Sequence, residues 1–268
     1  PQHIDTRITL PASKSVSNRA LIVQALTKEG ILPENLSDCD DTKVILQAFS
    51  QPSDVIDIKA SGTAMRFLTA YLCLSKGEHI ITGTERMKHR PIKILVDALR
   101  YLGADIDYIG NEGYPPLRIR GCELEGGQLV IPGNVSSQYV SALLMIAPIL
   151  TKGLDLKLTG EIVSRPYIDL TLHIMHEFGV AAEWTNFDTI SVKPQQYTRR
   201  TYTIENDWTA ASYWYEILAL QDDLDAEVVI SGLKDGSRQG DAAVRYIFSL
   251  LGIKTNFARK DAEGLTDA

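Results

Sequence analysis

The chain has 268 residues, of which 44% are hydrophobic and 23% are charged, and its formal net charge at pH 7 is −7. This composition is typical of a globular protein with a buried core and excludes a disordered chain. No apolar run reaches the roughly 18 residues that a membrane-spanning helix needs, so we expect no membrane partner. The acidic balance disfavours sequence-independent binding of nucleic acid, so any anion site must depend on a few focused lysines and arginines.

The cysteines give an expectation about the compartment. Cys39, Cys73 and Cys122 are an odd number, and no two of them have the CxxC spacing of a zinc or redox motif. The chain also opens without a basic and apolar leader. We therefore expect a reducing, cytoplasmic compartment and no metal site.

The first predicted helix start carries the richest set of anion-binding groups. A short strand over residues 8–10 is followed by Ser13, Lys14 and Ser15, which open an apolar helix with Arg19 one turn further on the same face. Unpaired backbone N–H groups at a helix start attract anions, and these side chains add charged and hydroxyl donors. The pattern predicts a phosphate or carboxylate cradle, with a plain serine N-cap as the alternative.

The second helix is predicted to begin near residue 40. Asp40 or Asp41 is expected to cap it, although a role for Asp41 in a cleft stays open. A third helix begins after Ser61, and its first residue, Gly62, would let a ligand approach the backbone closely. The alternative for Gly62 is an ordinary turn glycine.

A cationic loop follows the strand predicted over residues 80–82. Arg90 stands in this loop just before a helical pattern that ends at Gly103. A planar guanidinium in that position suits a carboxylate or phosphate, whereas a solvated charged loop is the ordinary alternative.

The same landmarks recur further along the chain. Ser61 and Ser136 are 75 positions apart (136 − 61), as are Arg90 and Arg165 (165 − 90). Ser136, Ser137 and Gln138 open the apolar helix of this copy, where tandem serine caps are the alternative to a polar ligand site. We predict its strands at 128–131, 154–158 and 190–192, with a helix between Ser164 and Gly179.

The chain thus contains four copies of one unit, which begin at Ser13, Ser61, Ser136 and Asp207. The fourth copy includes a strand at 228–230 and a helix that ends at Gly252. Each copy contains two helices with strands between and after them. The fold class predicted from this pattern is α/β (α+β), in which repeated βαβαβ-like units place their helices inside and their sheets outside.

Six motifs in this order resemble one known family, that of 3-phosphoshikimate 1-carboxyvinyltransferase, also called EPSP synthase. The motifs lie at residues 10–19 (LPASKSVSNR), 62–66 (GTAMR), 86–91 (RMKHRP), 114–118 (YPPLR), 136–138 (SSQ) and 164–169 (SRPYID). The resemblance implies a two-domain enolpyruvyl transferase architecture, with each inside-out α/β domain built from three βαβαββ units. Residues 13–204 would form a complete three-unit domain. Residues 1–12 and 205–268 would form part of an incomplete second domain.

The resemblance also implies an activity. The 5-hydroxyl of shikimate 3-phosphate would attack C2 of phosphoenolpyruvate while C3 is protonated, and the adduct would then lose phosphate, with no metal or organic cofactor. This reaction belongs to the shikimate pathway of chorismate and aromatic amino-acid biosynthesis. The protein would be a cytoplasmic transferase and a monomer at full length.

Site residues follow from the same resemblance. Lys14 would be catalytic and would touch both substrates. Phosphoenolpyruvate would bind Gly62, Arg90 and Gln138 as well as Lys14. Shikimate 3-phosphate would also bind Lys14, and Tyr167 would lie nearby. The further residues implied for this substrate are Ser15, Arg19, Ser136, Ser137, Gln138 and Ser164.

Some features depart from the family pattern. The stretch between Phe49 and Ser61 is shorter than in many relatives, which predicts a first unit that lacks strands or is trimmed. Ala60 and Phe67 replace the usual Asn and Pro around the Gly62 motif, and the late residues that the family uses for proton transfer have no counterpart here. We therefore expect the chain by itself to be inactive. The alternatives are the sister transferase that acts on UDP-N-acetylglucosamine, and a non-catalytic anion-binding half that needs a partner chain.

Overall fold

A computed structural model of the chain describes residues 3–51, 53–223 and 225–257. The described residues form ten strands, nine α-helices and two short 3-10 helices (Ala147–Ile149 and Gly240–Ala243). The strands are β1 (Asp5–Thr9), β2 (Val55–Asp57), β3 (Gly77–Thr82), β4 (Asp105–Tyr108), β5 (Leu117–Gly121), β6 (Gly127–Pro132), β7 (Leu154–Thr159), β8 (Ala182–Asn186), β9 (Thr189–Val192) and β10 (Glu227–Ser231). The helices are α1 (Lys14–Ala25), α2 (Asp40–Ser50), α3 (Gly62–Leu72), α4 (Glu85–Lys88), α5 (Lys93–Tyr101), α6 (Ser137–Ile146), α7 (Arg165–Glu177), α8 (Trp208–Ala219) and α9 (Val244–Ser249).

Two four-stranded sheets repeat one topology. Their strand orders are β2-β3-β5-β4 and β6-β7-β9-β8, and in each sheet the first pair is parallel and the other two pairs are antiparallel. The strands alternate buried and exposed residues, as in β7, where Leu154, Leu156 and Leu158 are buried. Such alternation places one face of a sheet on the core and the other in solvent. The predicted βαβαββ repeat is confirmed for these two units.

The first repeat, which begins at Ser13, lacks a sheet in the described residues. Helices α1 and α2 form, but the segment between them makes only an isolated bridge, from Glu34 to Thr203. This segment contains Gly30, Pro33 and Asn35, of which Asn35 has a positive φ of 54°. These residues favour turns over strands, so the general pattern of strands in every copy fails here, in agreement with the departure noted for the first unit.

Helices α1 and α6 are buried on nearly every side. In α6 all residues from Tyr139 to Ile146 are buried, and in α1 all residues from Val16 to Val23 are buried, including the polar Ser17, Asn18 and Arg19. A helix buried in this way packs on several sides at once, and here α1 and α6 contact each other and both contact α3 and α7. No helix of the described residues is both long and apolar enough to span a membrane.

The buried apolar residues form two clusters. The larger cluster runs from Ala12 to Ile204 and contains both four-stranded sheets. The smaller one contains Leu10, Trp208 and Ile230 and lies around the parallel pair β1–β10.

Two chain segments, residues 11–13 and 205–207, run antiparallel to each other between these clusters. Ser13 N–H donates to the Glu205 carbonyl at 2.9 Å, and Asp207 N–H donates to the Pro11 carbonyl at 2.9 Å. This antiparallel contact places the start of α1 beside the start of α8, which is where the candidate site lies.

Candidate anion-binding site

A cavity of about 400 Å³ lies where five helices begin. Its walls come from the first turns of α1, α3, α6, α7 and α8, each of which has at least ten residues. Helix starts carry unpaired N–H groups and the positive end of the helix dipole, so their convergence favours an anion. The lining residues are Lys14, Ser15, Asn18, Arg19, Thr63, Ser136, Ser137, Gln138, Tyr167, Asp207 and Thr209.

The start of α1 supplies the exposed cation of the cavity. Ser13 is the N-cap and accepts a hydrogen bond from Val16 N–H, which leaves Lys14 at the first helical position. The Lys14 side chain is 50% exposed, and its ammonium nitrogen lies 3.6 Å from a carboxylate oxygen of Asp41. Lys14 is therefore held near the cavity while it remains accessible to a ligand.

Asp41 does not cap its own helix. Cys39 occupies the N-cap position of α2, and no side chain there forms a capping bond. Asp41 instead accepts a hydrogen bond from the Ser61 hydroxyl, and Ser61 is the N-cap of α3. The expected cap of α2 by Asp40 or Asp41 is therefore wrong. The alternative left open for Asp41, a place beside the cleft, fits its carboxylate, which joins the start of α1 to that of α3.

Arg19 forms the buried floor of the cavity. Arg19 is only 3% exposed. Its guanidinium carbon lies 5.5 Å from the centre of the Phe67 ring and 6.0 Å from the centre of the Tyr167 ring. Burial lowers the pKa of Arg19 to about 10, so the group remains charged at neutral pH. No carboxylate of the described residues pairs with it. A buried charge without a counterion is costly, and a bound anion would offset that cost.

The start of α6 adds neutral donors. Ser136 is the N-cap and accepts from Gln138 N–H, while Ser137 and Gln138 line the cavity. The Gln138 side-chain amide donates to the Thr63 hydroxyl at 3.1 Å. This bond joins the corresponding helix starts of the two repeats, which lie 75 positions apart.

Gly62 and Arg90 lie beside the cavity rather than in its lining. A Cβ atom added to Gly62 would lie 2.6 Å from Arg90 Nη1 and 2.7 Å from Arg66 Nη1. Both distances are shorter than real Cβ contacts, so the two guanidiniums occupy the space that a side chain would need. The absence of a side chain at Gly62 is therefore what allows the two cations to converge on this helix start.

Sequence reasoning assigned no role to Arg66. This residue is 5% exposed, donates from Nη1 to the Gly62 carbonyl at 2.8 Å and faces the Tyr139 ring at 5.7 Å. Burial, with a smaller effect from the Arg90 charge, lowers the pKa of Arg66. One feature of the sequence could have identified it, namely an arginine inside an otherwise apolar helix. Arg66 follows Gly62 by four residues, just as Arg19 follows Ser15 by four.

The start of α7 only partly matches the expectation. Tyr167 lines the cavity, and burial raises the pKa of its phenol. Ser164 precedes the helix with a positive φ of 60°, is exposed and is not among the lining residues. Four further lining residues were not selected from the sequence: Asn18, Thr63, Asp207 and Thr209.

The fold and the cavity together define an inside-out α/β repeat protein with a cavity lined by cations and hydroxyls at converging helix starts. The family model described as EPSP synthase (3-phosphoshikimate 1-carboxyvinyltransferase) matches residues 1–51 and 43–265. The chain belongs to this family.

Named relatives are similar over almost the whole chain. A 3-phosphoshikimate 1-carboxyvinyltransferase of Bacteroides fragilis is 58% identical over 257 residues, which are 96% of this chain and 62% of the relative. One of Actinobacillus pleuropneumoniae is 39% identical over an alignment of 282 positions, which covers 94% of this chain and 64% of the relative. The chain thus spans less than two thirds of the length of these relatives.

A solved structure supports the fold independently. The EPSP synthase from Acinetobacter baumannii matches with a TM-score of 0.81 at 22% identity, over 100% of this chain and 65% of that one. The predicted family and fold class are confirmed. The sister sugar-nucleotide transferase is not favoured, because the family model and the named relatives are EPSP synthases.

Proposed function

We propose that this chain forms the larger part of a 3-phosphoshikimate 1-carboxyvinyltransferase of the shikimate pathway. Such an enzyme transfers the enolpyruvyl group of phosphoenolpyruvate to the 5-hydroxyl of shikimate 3-phosphate and releases phosphate. The observation that carries the proposal is the convergence of five helix starts on one cavity, with Lys14 and a buried, uncompensated Arg19 in its wall. Aromatic amino-acid biosynthesis in the cytoplasm by a full-length monomer, without a nucleic-acid partner, is part of the same proposal.

Shikimate 3-phosphate would occupy the cavity between α1 and α6. A phosphate group accepts several hydrogen bonds, and the helix starts here combine hydroxyls, an amide and cations that can donate them. Ser164 would have to turn toward the cavity to contribute. The proposed ligands are Lys14, Ser15, Arg19, Ser136, Ser137, Gln138 and Ser164.

Phosphoenolpyruvate would bind on the Gly62 side. The Arg90 guanidinium lies close to the Gly62 backbone, in the space that a side chain there would need, and Gln138 reaches toward this side through its bond to Thr63. Two multiply charged anions repel each other, and Lys14 between them offsets that repulsion while it holds the reacting groups in line. In this arrangement Lys14 is the catalytic residue that this chain supplies.

Two domains follow from the same proposal. Residues 13–204 would be one domain, and residues 1–12 with 205–268 would belong to the other. The two separate apolar clusters support this division, because their boundary falls at the antiparallel segments near Glu205. Residues 258–268 of the second domain lie outside the described residues.

We further infer that the 268-residue chain binds its substrates without turnover. The chain covers only 62% to 64% of the length of its relatives. General acid–base groups typically contribute about 10²–10⁴-fold to a rate, and such groups would be supplied by the part of the enzyme outside this chain. A phosphate-release assay on the purified chain tests this inference. Robust turnover by the chain alone would show that the catalytic groups all lie within it.

Calorimetry with shikimate 3-phosphate tests the binding site itself. Lys14→Ala removes a charge-assisted bond, so the binding free energy should fall by about 1.5–3 kcal/mol. Lys152→Ala, at an exposed lysine that pairs with Glu125, is the matched control and should leave binding unchanged. Equal affinities of the wild-type chain and Lys14→Ala would contradict the proposed site.

A further inference from the structure

Two buried hydroxyls lie directly behind the cavity. Ser141 of α6 and Thr171 of α7 are both 0% exposed, and their hydroxyl oxygens are 2.8 Å apart. Neither residue lines the cavity, and neither belongs to a motif that pointed to a ligand. Both of them contact Arg19, which does line it.

The hydrogen bonds around Arg19 can be assigned one by one. Its Nε–H donates to the Thr171 hydroxyl at 2.7 Å, and its Nη2 donates to the Ser141 hydroxyl at 3.1 Å. Nη2 also donates to the Tyr167 carbonyl at 3.4 Å, and Nη1 donates to the Ser15 carbonyl at 2.9 Å. Four of the five N–H donors of a guanidinium are therefore used within the protein.

The hydroxyl protons follow from this assignment. Thr171 donates its own proton to the Tyr167 carbonyl at 2.9 Å, so its oxygen is free to accept from both neighbours. Ser141 then donates to Thr171 and accepts from Arg19. Every hydrogen-bonding atom of the pair is satisfied, as a buried polar network requires.

The partners of Arg19 are all electrically neutral. Two hydroxyls and two carbonyls orient the guanidinium through its bonds, but none of them cancels its charge. A carboxylate in the place of either hydroxyl would hold the same geometry and neutralise the site. The network therefore fixes the group while its charge stays available to an anion in the cavity.

We propose that Ser141 and Thr171 are positioning residues that hold Arg19 in its anion-binding geometry. The inference depends on the proposed function, in which Arg19 binds shikimate 3-phosphate. The pair would act through Arg19 alone, since neither hydroxyl lines the cavity.

The obvious alternative is that the pair only packs α6 against α7. Thr171→Val keeps the shape of the side chain and removes the hydroxyl, whereas Thr171→Ser keeps the hydroxyl. Thr69→Val is a matched control, because Thr69 is also a 0% exposed helical threonine whose hydroxyl donates to the carbonyl four residues earlier, but its hydroxyl accepts no hydrogen bond from an arginine of the described residues.

The experiment is calorimetry of the 268-residue chain with shikimate 3-phosphate, together with hydrogen exchange of the Arg19 Nε–H measured by NMR. Thr171→Val should weaken binding about tenfold or more and expose the Nε–H to rapid exchange. Thr171→Ser should stay within about threefold of the wild type and keep the proton protected, and Thr69→Val should change neither. If Thr171→Val does not fold, Ser141→Ala should weaken binding about threefold and leave Nε–H protected, because it removes only the Nη2 partner.

The outcomes separate the inference from the proposed function. Wild-type affinity in a folded Thr171→Val, or in Ser141→Ala where it replaces that variant, would overturn the inference and leave the proposed function intact. An equal loss in Thr171→Ser or Thr69→Val would also overturn it, because packing would then explain the effect. A wild-type chain that does not bind shikimate 3-phosphate would overturn the proposed function, and the inference with it.

Discussion

At the scale of single residues, the site is notable for arginines without carboxylate partners. Arg19 and Arg66 are 3% and 5% exposed, and burial lowers the pKa of both. Each donates from Nη1 to the carbonyl four residues earlier, at the start of its helix. Two buried cations held in this way cost folding free energy, and a site that binds anions gives a physical reason for them.

Arg90 should matter more for phosphoenolpyruvate than for shikimate 3-phosphate. Arg90→Lys replaces a planar fork with a point charge, so affinity for phosphoenolpyruvate should fall about tenfold, since a lysine cannot form two parallel bonds to one carboxylate. Calorimetry with each ligand in turn measures the difference. Arg86→Lys, at an exposed arginine of α4 nearby, is the control, and an equal loss for both ligands would contradict the assignment.

At the scale of elements, the site depends on how the helices begin. Ser61 illustrates this, because its hydroxyl accepts from Ala64 N–H at 3.0 Å as the N-cap of α3 and also donates to Asp41. One hydroxyl thus stabilises the helix that carries Gly62 and holds the carboxylate that pairs with Lys14. Helix capping and ligand positioning are coupled at this residue.

Ser61→Ala should therefore have two measurable effects. Loss of an N-cap typically costs about 1 kcal/mol, so the free energy of unfolding by urea should fall by about that amount. Phosphoshikimate affinity should also fall, because Asp41 loses a donor and pairs with Lys14 in a different geometry. Thr27→Val removes a buried hydroxyl that donates to the Val23 carbonyl at the other end of α1, away from the cavity and from Asp41, and it is the control for lost stability. An equal loss of affinity in the two variants would argue against the coupling.

At the scale of the whole molecule, buried phenols and a buried thiol dominate the response to high pH. Burial raises the pKa of Tyr202 to about 12 and that of Tyr197 well above its usual value of 10.0. Burial also raises the pKa of the Cys73 thiol. In the unfolded chain these groups lose their protons above about pH 9 to 10, whereas the folded chain keeps them.

Folding stability should therefore fall as the pH rises above about 9. The unfolded state binds fewer protons than the folded state in this range, and the free energy of unfolding then decreases with pH. Arg19 acts in the opposite direction between its pKa of about 10 and its usual value of 12.5, as does Arg66, whose pKa burial also lowers. Against these two arginines stand six phenols and one thiol whose pKa values are raised. Urea unfolding at pH 8, 9.5 and 10.5 measures the slope.

A single variant tests the cause of that slope. Tyr202→Phe keeps the ring that packs against Phe178 and removes the titrating phenol, so stability should fall less steeply with pH. Tyr101→Phe, at a residue that is 74% exposed, should leave the slope unchanged. The same slope in Tyr202→Phe and the wild type would mean that other groups control alkaline unfolding.

Local patterns in the sequence were enough for much of the fold and part of the site. Capping serines, apolar periodicity and β-branched runs are properties of short segments, so the helix starts at Lys14, Gly62 and Ser137 and the strands β3, β6, β7 and β9 could be predicted, whereas β2, β4, β5 and β8 were missed. The family could be predicted as well, because each of the six motifs is a short run of consecutive residues and their order is a property of the chain itself.

Only the tertiary structure decided which of these groups meet. Arg19 contacts Thr171, which is 152 positions away, and Asp41 contacts Ser61 rather than capping α2. The short stretch between Phe49 and Ser61 already indicated a trimmed first repeat, but the place of Ser164 outside the cavity was not visible locally. Such contacts depend on how whole helices pack against one another, and that packing is set by the summed burial of many distant side chains rather than by any short segment.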